Sequence, residues 1–414
     1  MSVGSKAKVL VAMSGGVDSS VAALLALRMG YDCTGVTMKL ISDRTGSEGA
    51  NPGGDSLKCV NGTGGGPGNA DGSDSGPGNA DADRSDSVPG GADAAEQVSA
   101  ALGIPHLTID LTGEFREHVI EPFVSEYEAG ATPNPCVWCN NRIKFGLLYE
   151  YALEKGFDIL ATGHYARILQ GPGGEYRLAR ATDAARDQSY FLHGIKKESL
   201  AHIIFPLGGI SKAEVRALAA EAGFANAQAE ESQDICFVRE GGHAGFIRDY
   251  RGKAALPGNF VDAAGKVLGR HNGVARYTIG QRKKLGIALG RPVFVKEIRS
   301  ETNEVVLADE GEVYADRIEI AGFNWLIDTV ANTVDNTGEN TGANTSPGEN
   351  VRRINALRAS IMIRYRAAPA WATIEINADG SLSAVFDKPV RAPAKGQAAV
   401  LYDGDLVIGG GRIR

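Results

Sequence analysis

The chain has 414 residues, of which 43% are hydrophobic and 22% charged, the balance of a soluble globular protein with room for two or three domains. The formal net charge is −7, but residues 42–93 carry −6 and residues 328–350 carry −4, which leaves +3 for the rest of the chain. The composition therefore excludes a strongly acidic folded body and permits a nucleic-acid partner without requiring one.

Membrane and secreted proteins are also disfavoured. No window reaches the roughly 18 consecutive apolar residues that a membrane span needs, and the opening "MSVGSKAKVL" has no signal-peptide pattern. Five cysteines in a chain of this length do not make a disulfide scaffold. We expect a cytoplasmic protein with no membrane partner, in which each cysteine is a candidate for chemistry, metal binding or simple burial.

Predicted strands and helices alternate in the first part of the chain. A strand "KVLVAM" and a helix "VAALLALRMG" flank the loop "SGGVDSS", and a strand "DCTGVTMKL" follows. Next come a helix "DAAEQVSAALG", a strand "PHLTIDL", a helix over about 112–129, and a strand "FDILATGHYARI" that runs into a turn. This order predicts an α/β fold with a doubly wound parallel sheet.

The rest of the chain has a different character. Residues 42–93 and 328–350 are low-complexity segments that we expect to be mobile. From about residue 255, short alternating strands such as "RPVFVKEI" and "WATIEIN" predict one or two small β-barrels or sandwiches. We divide the chain into a nucleotide-binding catalytic domain (1–206), a mostly helical connecting segment (207–255) and a β-rich region (256–414).

The loop "SGGVDSS" has the features of a phosphate site. Gly15 and Gly16 let the backbone approach an anion, the following helix N-terminus offers unpaired N–H groups, and Ser14 and Ser19 add hydroxyls. Asp18 would repel phosphate unless it held a divalent cation such as Mg²⁺. The ordinary alternative is a Gly-Ser turn that caps a helix. The loop lacks the Gly-Lys-Ser/Thr of a Walker A motif and resembles the PP-loop of ATP pyrophosphatases, a superfamily that transfers AMP to a carbonyl oxygen.

Cys136 and Cys139 lie in "ATPNPCVWCNNRIKFG", which we predict to be a loop after the 112–129 helix. A zinc knuckle would need a second such pair, which the sequence lacks, and a thioredoxin-type dithiol would begin a helix directly after a strand. Cys236, in "ESQDICFV", could instead join this pair at one active site. Cys33, in an apolar strand, and Cys59, in the low-complexity insert, are interpreted as inert.

Six motifs carry a resemblance to a known family. They are "AMSGGVDSS", "TPNPCVWCNNRIKFG", "ATGHYAR", "RDQSYFL", "ESQDICFV" and "YTIGQRKKLGI", in the order found in the tRNA-specific 2-thiouridylases. The resemblance spans nearly the whole chain apart from the two inserts. It implies ATP-dependent 2-thiolation of the wobble uridine of tRNA. The implied partners are tRNA and a sulfur donor, either a cysteine desulfurase or a sulfur-relay protein.

The same resemblance assigns roles to two cysteines. Cys139 corresponds to the nucleophile and Cys236 to the cysteine that carries a persulfide. Once ATP has adenylated the C2 oxygen of uridine, the persulfide would deliver its terminal sulfur as AMP leaves. Cys139 would either attack C2 or form a Cys139–Cys236 disulfide on sulfur release.

Cys136 departs from the family's commoner pattern, in which an Asp occupies this position. The substitution puts in doubt any acid–base or base-contacting role for that residue. It also leaves three thiols, Cys136, Cys139 and Cys236, which together make the ligand set of an iron–sulfur cluster with one open site. A cluster that carries the sulfur is therefore a second route, and it uses the same residues.

Further contacts follow from the resemblance by position. It implies ATP contacts at Ala12, Met13, Ser14, Gly15, Gly16, Val17, Asp18, Ser19, Met38 and Gly163. It implies contacts with tRNA or the target base at Asn134, Pro135, Cys136, His164, Arg186, Asp187, Gln188, Arg364, Tyr365 and Gln397. The helix "KAEVRALAAEAG" and the turn with Lys283 and Lys284 are expected to support tRNA docking. Ordinary structural roles are the alternatives: a core methionine at Met38, a structural histidine at His164, and solvated charges elsewhere.

Two other functions compete with this interpretation. An amidating ligase with the same loop would need a glutamine-hydrolysing module or an amino-acid pocket, and it would leave Cys236 without a purpose. A tRNA-binding protein that has lost its chemistry would not need an intact loop and these cysteines.

Overall fold

The computed structural model describes residues 6–41, 91–228, 235–238, 241–327 and 356–414. The two segments predicted to be mobile, and Cys59 with them, lie outside the described residues, except that residues 91–93 begin a helix. Among the described residues, no helix is both long and apolar enough to cross a membrane.

The first part of the chain contains a parallel sheet. Its strands and those of an adjoining hairpin are β1 (Lys8–Ala12), β2 (Asp32–Lys39), β3 (His106–Asp110), β4 (Ile159–Thr162), β5 (Ala166–Gln170), β6 (Tyr176–Arg180) and β7 (Ile203–Ile204). Five of them pair in the order β3-β2-β1-β4-β7, and every pairing is parallel. Val9, Leu10 and Val11 are fully buried at its centre, as a strand covered on both faces requires. The predicted doubly wound α/β fold is confirmed.

Helices pack on both faces of this sheet and continue beyond it. They are α1 (Val17–Arg28), α2 (Gly91–Leu102), α3 (Thr112–Phe115), α4 (Glu121–Glu128), α5 (Pro135–Trp138), α6 (Tyr149–Glu154), α7 (Lys212–Glu221) and α8 (Gly242–Arg251). A π-helical segment, Arg116–Ile120, joins α3 to α4, so the predicted 112–129 helix is present with a wider turn inside it.

The loop predicted for the cysteine motif is wrong, because this motif begins a helix. A π-helical segment, Cys139–Leu148, joins α5 to α6, so that residues 135–154 are continuously helical. The side chain of Asn134 accepts a hydrogen bond from the Val137 N–H at 3.4 Å, and Pro135 occupies the first helical position. An Asn cap followed by Pro is a helix-start signal that the two prolines and the amide-rich composition obscured.

The second part of the chain is β-rich, as predicted. Its strands are β8 (Gly258–Val261), β9 (Val267–His271), β10 (Phe294–Arg299), β11 (Glu304–Ala308), β12 (Tyr314–Trp325), β13 (Ala356–Met362), β14 (Ala370–Ile376), β15 (Leu382–Arg391), β16 (Ala398–Asp403) and β17 (Leu406–Ile413). Strands β8 to β11 form a small sheet in the order β10-β11-β8-β9. Strands β12 to β17 form a barrel, because β12 pairs with both β15 and β17 and so closes the sheet.

A hairpin from the first part joins this barrel. The predicted strand "FDILATGHYARI" is two strands, β4 and β5, separated by the turn at residues 163–165. Strand β6 then pairs with β17, with Ala179 opposite Leu406. The hairpin thus links the parallel-sheet part to the barrel, and Arg167 reinforces the link through its ion pair with Asp405 at 2.8 Å.

The sheet order identifies where a ligand would bind. The strand order turns at β1, which has β2 on one side and β4 on the other. Open α/β sheets bind ligands outside the carboxyl ends of their strands at such a switch point. The loop after β1 holds "SGGVDSS" and the turn after β4 holds Gly163 and His164, so the two motifs meet there.

Candidate functional site

The loop after β1 is a turn whose outer surface is accessible to solvent. Gly15 has φ 78°, in the left-handed region that favours glycine, and Gly16 caps α1 with an extended backbone. The Ser19 hydroxyl accepts from the Ser14 N–H at 3.2 Å and donates to the Gly16 carbonyl at 2.9 Å, which holds the turn closed. Ser14 and Gly16 are exposed, so the loop and the N-terminus of α1 are accessible to an anion.

Asp18 is paired within the protein. Its Oδ1 lies 2.7 Å from the Lys212 Nζ and accepts a hydrogen bond from the Tyr165 hydroxyl at 2.7 Å. The Lys212 side chain is only 9% exposed, against 31% for Asp18, so the pair is largely removed from water. The helix expected to support tRNA docking, α7, therefore directs Lys212 to the phosphate loop. Both contacts are made by Oδ1, so the predicted role of Asp18 in holding Mg²⁺ would fall to Oδ2.

Asn226 also holds the loop. Its Nδ2 donates to the Gly15 carbonyl at 2.8 Å and to the Ser20 hydroxyl at 2.9 Å. Its Oδ1 is buried and accepts no hydrogen bond from the described residues. The sequence analysis did not find this residue, because "EAGFANAQAE" carries no pattern that points to a loop more than 200 positions away.

Gly163 lies against the backbone of the same loop. A Cβ at this position would come within 2.9 Å of the Asp18 carbonyl carbon and the Ser19 nitrogen. Real Cβ atoms essentially never come closer than 3.0 Å to such atoms, so only glycine permits this approach without a shift of the loop. The structure therefore places Gly163 beside the loop after β1, while a direct contact between Gly163 and ATP stays a prediction.

The other residues predicted to contact ATP differ in accessibility. Met13 and Val17 have buried side chains, and the Met13 backbone is already bonded to Val36 and Thr37. Ala12 and Met38 are half-buried, and Met38 packs against the core. The exposed surface of the loop thus consists of Ser14 and Gly16.

His164 links the phosphate loop to the cysteine helix. Its Nδ1 lies 2.7 Å from the Thr162 hydroxyl, and its ring lies 5.8 Å from Phe145 and 6.0 Å from Phe205. Burial, and then the positive charge of Lys144, keep the pKa of His164 well below its usual value. The ring is therefore neutral at physiological pH.

The charge of Lys144 acts on three thiols, Cys136, Cys139 and Cys236. Cys136 and Cys236 reach solvent and Cys139 is half-buried, but the atoms packed around all three remove much of the water that would hydrate a thiolate. This burial raises the pKa of Cys136 to about 11 and raises the pKa of Cys139 and Cys236. Lys144 opposes the shift at each thiol.

The thiols also act on one another. The charge of Cys139 contributes to the raised pKa of Cys236, and the charges of Cys236 and Cys139 contribute to that of Cys136, although burial is the largest cause in each case. Cys139 and Cys236, 97 positions apart in the chain, are therefore close enough to interact. Cys33 is buried elsewhere, with its pKa raised to about 11 mainly by burial, and it belongs to the core, in line with its interpretation as inert.

Phe237 anchors the segment that carries Cys236. Its ring is 6% exposed and lies 5.7 Å from Phe115, 5.1 Å from Phe123 and 5.1 Å from Phe246. This aromatic cluster inserts the short "ICFV" segment between α4 and α8, and Cys236 is held one residue from it. Phe237 also belongs to the same hydrophobic cluster as Val137, which lies beside Cys136 in α5.

The thiols do not fit a metal centre as they stand. Across the residues the structure describes, no group of three or more His, Cys, Asp or Glu side chains is arranged to hold a metal ion. We therefore derive no step through an iron–sulfur cluster.

Several residues predicted to contact tRNA brace the site from within. The buried Asp187 accepts from the Ala181 N–H at 3.0 Å and from the Ser189 hydroxyl at 2.9 Å. Gln188 accepts from the Tyr165 N–H at 3.0 Å, beside Gly163 and His164. Arg186 is half-buried in the same turn. These contacts support structural roles, and their contacts with tRNA stay predictions.

The barrel residues brace the start of the cysteine helix in a similar way. Gln397 Nε2 donates to the Thr132 carbonyl at 2.9 Å, two residues before Asn134. Arg364 donates to the Arg391 and Ala392 carbonyls at 2.6 and 2.7 Å, and the ring of Tyr365 lies 4.4 Å from Phe191. Lys283 and Lys284 are exposed on the surface.

A surface cavity of about 320 Å³ lies between the β5–β6 hairpin and the barrel, lined by Arg167, Arg180, Ala181, Thr182, Ala184, Asp187 and Asp405. None of the thiols or loop glycines lines it, and Asp187 is the predicted tRNA-contact residue that does.

Three family models match the chain. A tRNA methyl transferase HUP domain covers residues 7–59 and 78–240, a tRNA methyl transferase PRC-barrel domain covers 244–309, and an aminomethyltransferase β-barrel domain covers 346–413. A predicted subunit of tRNA methyltransferase from Methanocaldococcus jannaschii aligns with 52% of this chain and 76% of its own, at 18% identity and a TM-score of 0.29. That score is too low to support an argument about fold.

Relatives that match this chain over nearly their whole length identify the family. A tRNA-specific 2-thiouridylase MnmA from Lachnoclostridium phytofermentans is 39% identical over 98% of this chain and 99% of its own length. Another from Acetivibrio thermocellus is 38% identical over 99% of this chain and the whole of its own. With matches of this length, and with the loop and the thiols in place, the chain belongs to the family of tRNA-specific 2-thiouridylases.

Proposed function

We propose that the protein uses ATP to replace the C2 oxygen of the wobble uridine of tRNA with sulfur. The observation that carries this proposal is the junction at the sheet's switch point. There Gly163 contacts the phosphate loop, His164 contacts Phe145, and the neighbouring Lys144 acts on all three thiols. A nucleotide site and a sulfur site thereby adjoin.

The phosphate loop performs the activation. Its exposed glycine and serine and the N-terminus of α1 fit a bound triphosphate, and Asn226 and the Asp18–Lys212 pair hold the loop in shape. ATP supplies an adenylyl group to the C2 oxygen, which converts that oxygen into a good leaving group. Asp18 would hold Mg²⁺ through Oδ2, since Lys212 and Tyr165 both contact Oδ1.

The thiols perform the transfer. The terminal sulfur of a Cys236 persulfide attacks C2, and AMP leaves with the original oxygen. Cys139 then attacks the Cys236 sulfur, a Cys139–Cys236 bond forms, and the electron pair of the broken S–S bond passes to the sulfur on C2, which becomes the thiocarbonyl. The raised thiol pKa values keep both cysteines protonated at rest, and Lys144 favours the thiolate when it forms.

We assign the contact with the flipped target base to four residues: the neutral His164, the cap residue Asn134, Pro135 and Cys136. The imidazole ring of His164 and the amide of Asn134 can each hydrogen-bond to the edge of a pyrimidine. A base in the single-stranded anticodon loop unstacks easily and so becomes available to them. We assign further tRNA contacts to Arg186, Asp187, Gln188, Arg364, Tyr365 and Gln397. The sulfur donor would be a cysteine desulfurase or a sulfur-relay protein, and the setting the cytoplasm.

We retain the three-domain division as part of the proposal, with one addition. The β5–β6 hairpin pairs with the barrel, so the nucleotide-binding domain extends a hairpin into the β-rich region.

The test is tRNA thiolation with purified components. Wild-type protein, ATP, tRNA and a cysteine desulfurase with cysteine should yield 2-thiouridine, measured by nucleoside mass spectrometry. Cys139→Ser and Cys236→Ser should each lower the yield by at least about a hundredfold, since each removes a reacting sulfur. Cys33→Ser is the matched control and should retain activity, because Cys33 lies in the core.

Three results would contradict the proposal. Full activity of Cys236→Ser would exclude a persulfide on Cys236 as the sulfur carrier. If anaerobically purified protein needs iron and acid-labile sulfide for activity, the iron–sulfur cluster would be favoured. Glutamine-dependent amide formation without thiouridine would favour an amidating ligase.

A further inference from the structure

Cys136 is a thiol that the proposed transfer does not use. It is the second residue of α5 and is exposed, and Cys139 follows it one helical turn later, as the first residue of the π-helical segment. The Cys139 N–H donates to the Cys136 carbonyl, which keeps the two residues in helical register. The pair thus lies at a helix start, one feature of a thioredoxin-type dithiol, although α5 follows α4 and not a strand.

Helix geometry permits a disulfide between these two residues. Positions three apart in a helix have Cα atoms about 5 Å apart, from a rise of about 4.5 Å and a rotation of about 300°. This separation falls inside the roughly 4.4–6.8 Å that disulfides span. Because both residues begin one continuous helix, little backbone movement is needed.

Cys136 also neighbours the other partner of the transfer. Cys236 and Cys139 are the two thiols whose charges act on it, with Lys144 as the opposing cation. A Cys139–Cys236 disulfide would therefore form within the surroundings of Cys136.

We propose that Cys136 resolves the Cys139–Cys236 disulfide that sulfur transfer leaves behind, an inference that rests on the proposed function. The Cys136 thiolate attacks the Cys139 sulfur, a Cys136–Cys139 bond forms and the Cys139–Cys236 bond breaks. The electron pair and a proton go to Cys236, which becomes a free thiol. One disulfide replaces another, so the step consumes no oxidant or reductant.

The exchange has two consequences for turnover. Cys236 is free to accept the next sulfur without waiting for a reductant. The remaining disulfide lies at the exposed start of a helix, where a thiol reductant of the cell can reach it and restore both cysteines.

A single turnover without reductant tests the exchange. Full-length protein is loaded with persulfide by a cysteine desulfurase, separated from it and mixed with ATP and tRNA. The reaction is quenched in acid, free thiols are blocked with N-ethylmaleimide, and disulfides are mapped by peptide mass spectrometry. The yield of 2-thiouridine is measured in the same sample.

The proposal predicts a Cys136–Cys139 disulfide and a maleimide-blocked Cys236, both equal in amount to the thiouridine. In Cys136→Ser the Cys139–Cys236 cross-link should remain, so that blocked Cys236 falls at least about tenfold per thiouridine formed. Cys33→Ser should behave as wild type.

A wild-type protein that forms thiouridine and keeps the Cys139–Cys236 cross-link, with Cys136 blocked, would overturn the exchange and leave the proposed function intact. Absence of thiouridine, or thiouridine without any disulfide, would overturn the proposed transfer and the exchange with it.

Discussion

Replacing Gly163 with alanine tests how the turn after β4 supports the phosphate loop. The added Cβ would lie 2.9 Å from two backbone atoms of the loop, the Asp18 carbonyl carbon and the Ser19 nitrogen. Ordinary contact begins at 3.4 Å, so the loop must retreat by about 0.5 Å. Backbone atoms cannot rotate away as the end of a flexible side chain can, and the ladder that holds β1 beside β4 resists the shift.

Overpacking of this kind costs about 1–3 kcal/mol. If the cost falls on the loop conformation that binds phosphate, the affinity for ATP drops by roughly 5- to 150-fold, since about 1.4 kcal/mol is a factor of ten. The assay is equilibrium binding of ATP to the variant and the wild type. Persulfide loading of Cys236 is measured in parallel and should change less than about twofold, because that segment rests on Phe237.

Gly209→Ala is the matched control. A Cβ there meets open space and the backbone is not left-handed, so its ATP affinity should equal that of the wild type. If Gly163→Ala binds ATP as tightly as Gly209→Ala, the assignment of this turn to the nucleotide site is refuted.

Three further substitutions test the rest of the site. Lys212→Met leaves the partly buried Asp18 without its cation. We therefore expect the melting temperature in scanning calorimetry to fall by a few degrees and kcat/KM for ATP to fall about tenfold. An unchanged kcat/KM would refute the role of the Asp18–Lys212 pair. Lys144→Met removes the charge that lowers the thiol pKa values. Alkylation of Cys139, which speeds up as pH rises through its raised pKa, should then shift to still higher pH, and an unmoved rate–pH curve would contradict this. Phe237→Ala should lower the free energy of unfolding by about 3–5 kcal/mol in denaturant titrations, and a loss below about 1 kcal/mol would disprove the anchor.

Local signals were enough to predict the phosphate loop and the sheet that carries it. "KVLVAM" followed by "SGGVDSS" contains a buried strand, a glycine turn and a helix start within some fifteen residues, so neighbouring positions determine the geometry. The β-rich second part was predicted for the same reason, since alternation and glycine turns recur within each hairpin.

Contacts between distant positions could not be predicted. Lys212 reaches Asp18 across 194 positions, and Asn226 reaches Gly15 across 211, although neither segment differs from an ordinary helix and its following turn. The pairing of β6 with β17 is likewise a property of the assembled sheets. These contacts depend on the tertiary packing of elements whose local patterns are unremarkable.

The helix start at the cysteines is an intermediate case. Asn134 and Pro135 are a local capping signal, but the proline before them and the amide-rich residues after them are typical of a loop. The structure resolves this conflict through the barrel, because Gln397 holds the Thr132 carbonyl and so fixes the chain at the point where the helix begins.

In the proposed reaction, ATP activates the uridine C2 oxygen and sulfur then replaces it. The most direct measurement uses tRNA whose wobble uridine carries ¹⁸O at C2, with mass spectrometry of the AMP released in a single turnover. We predict one ¹⁸O in AMP for each 2-thiouridine formed. Unlabelled AMP, with the ¹⁸O recovered in water or in pyrophosphate, would contradict the account.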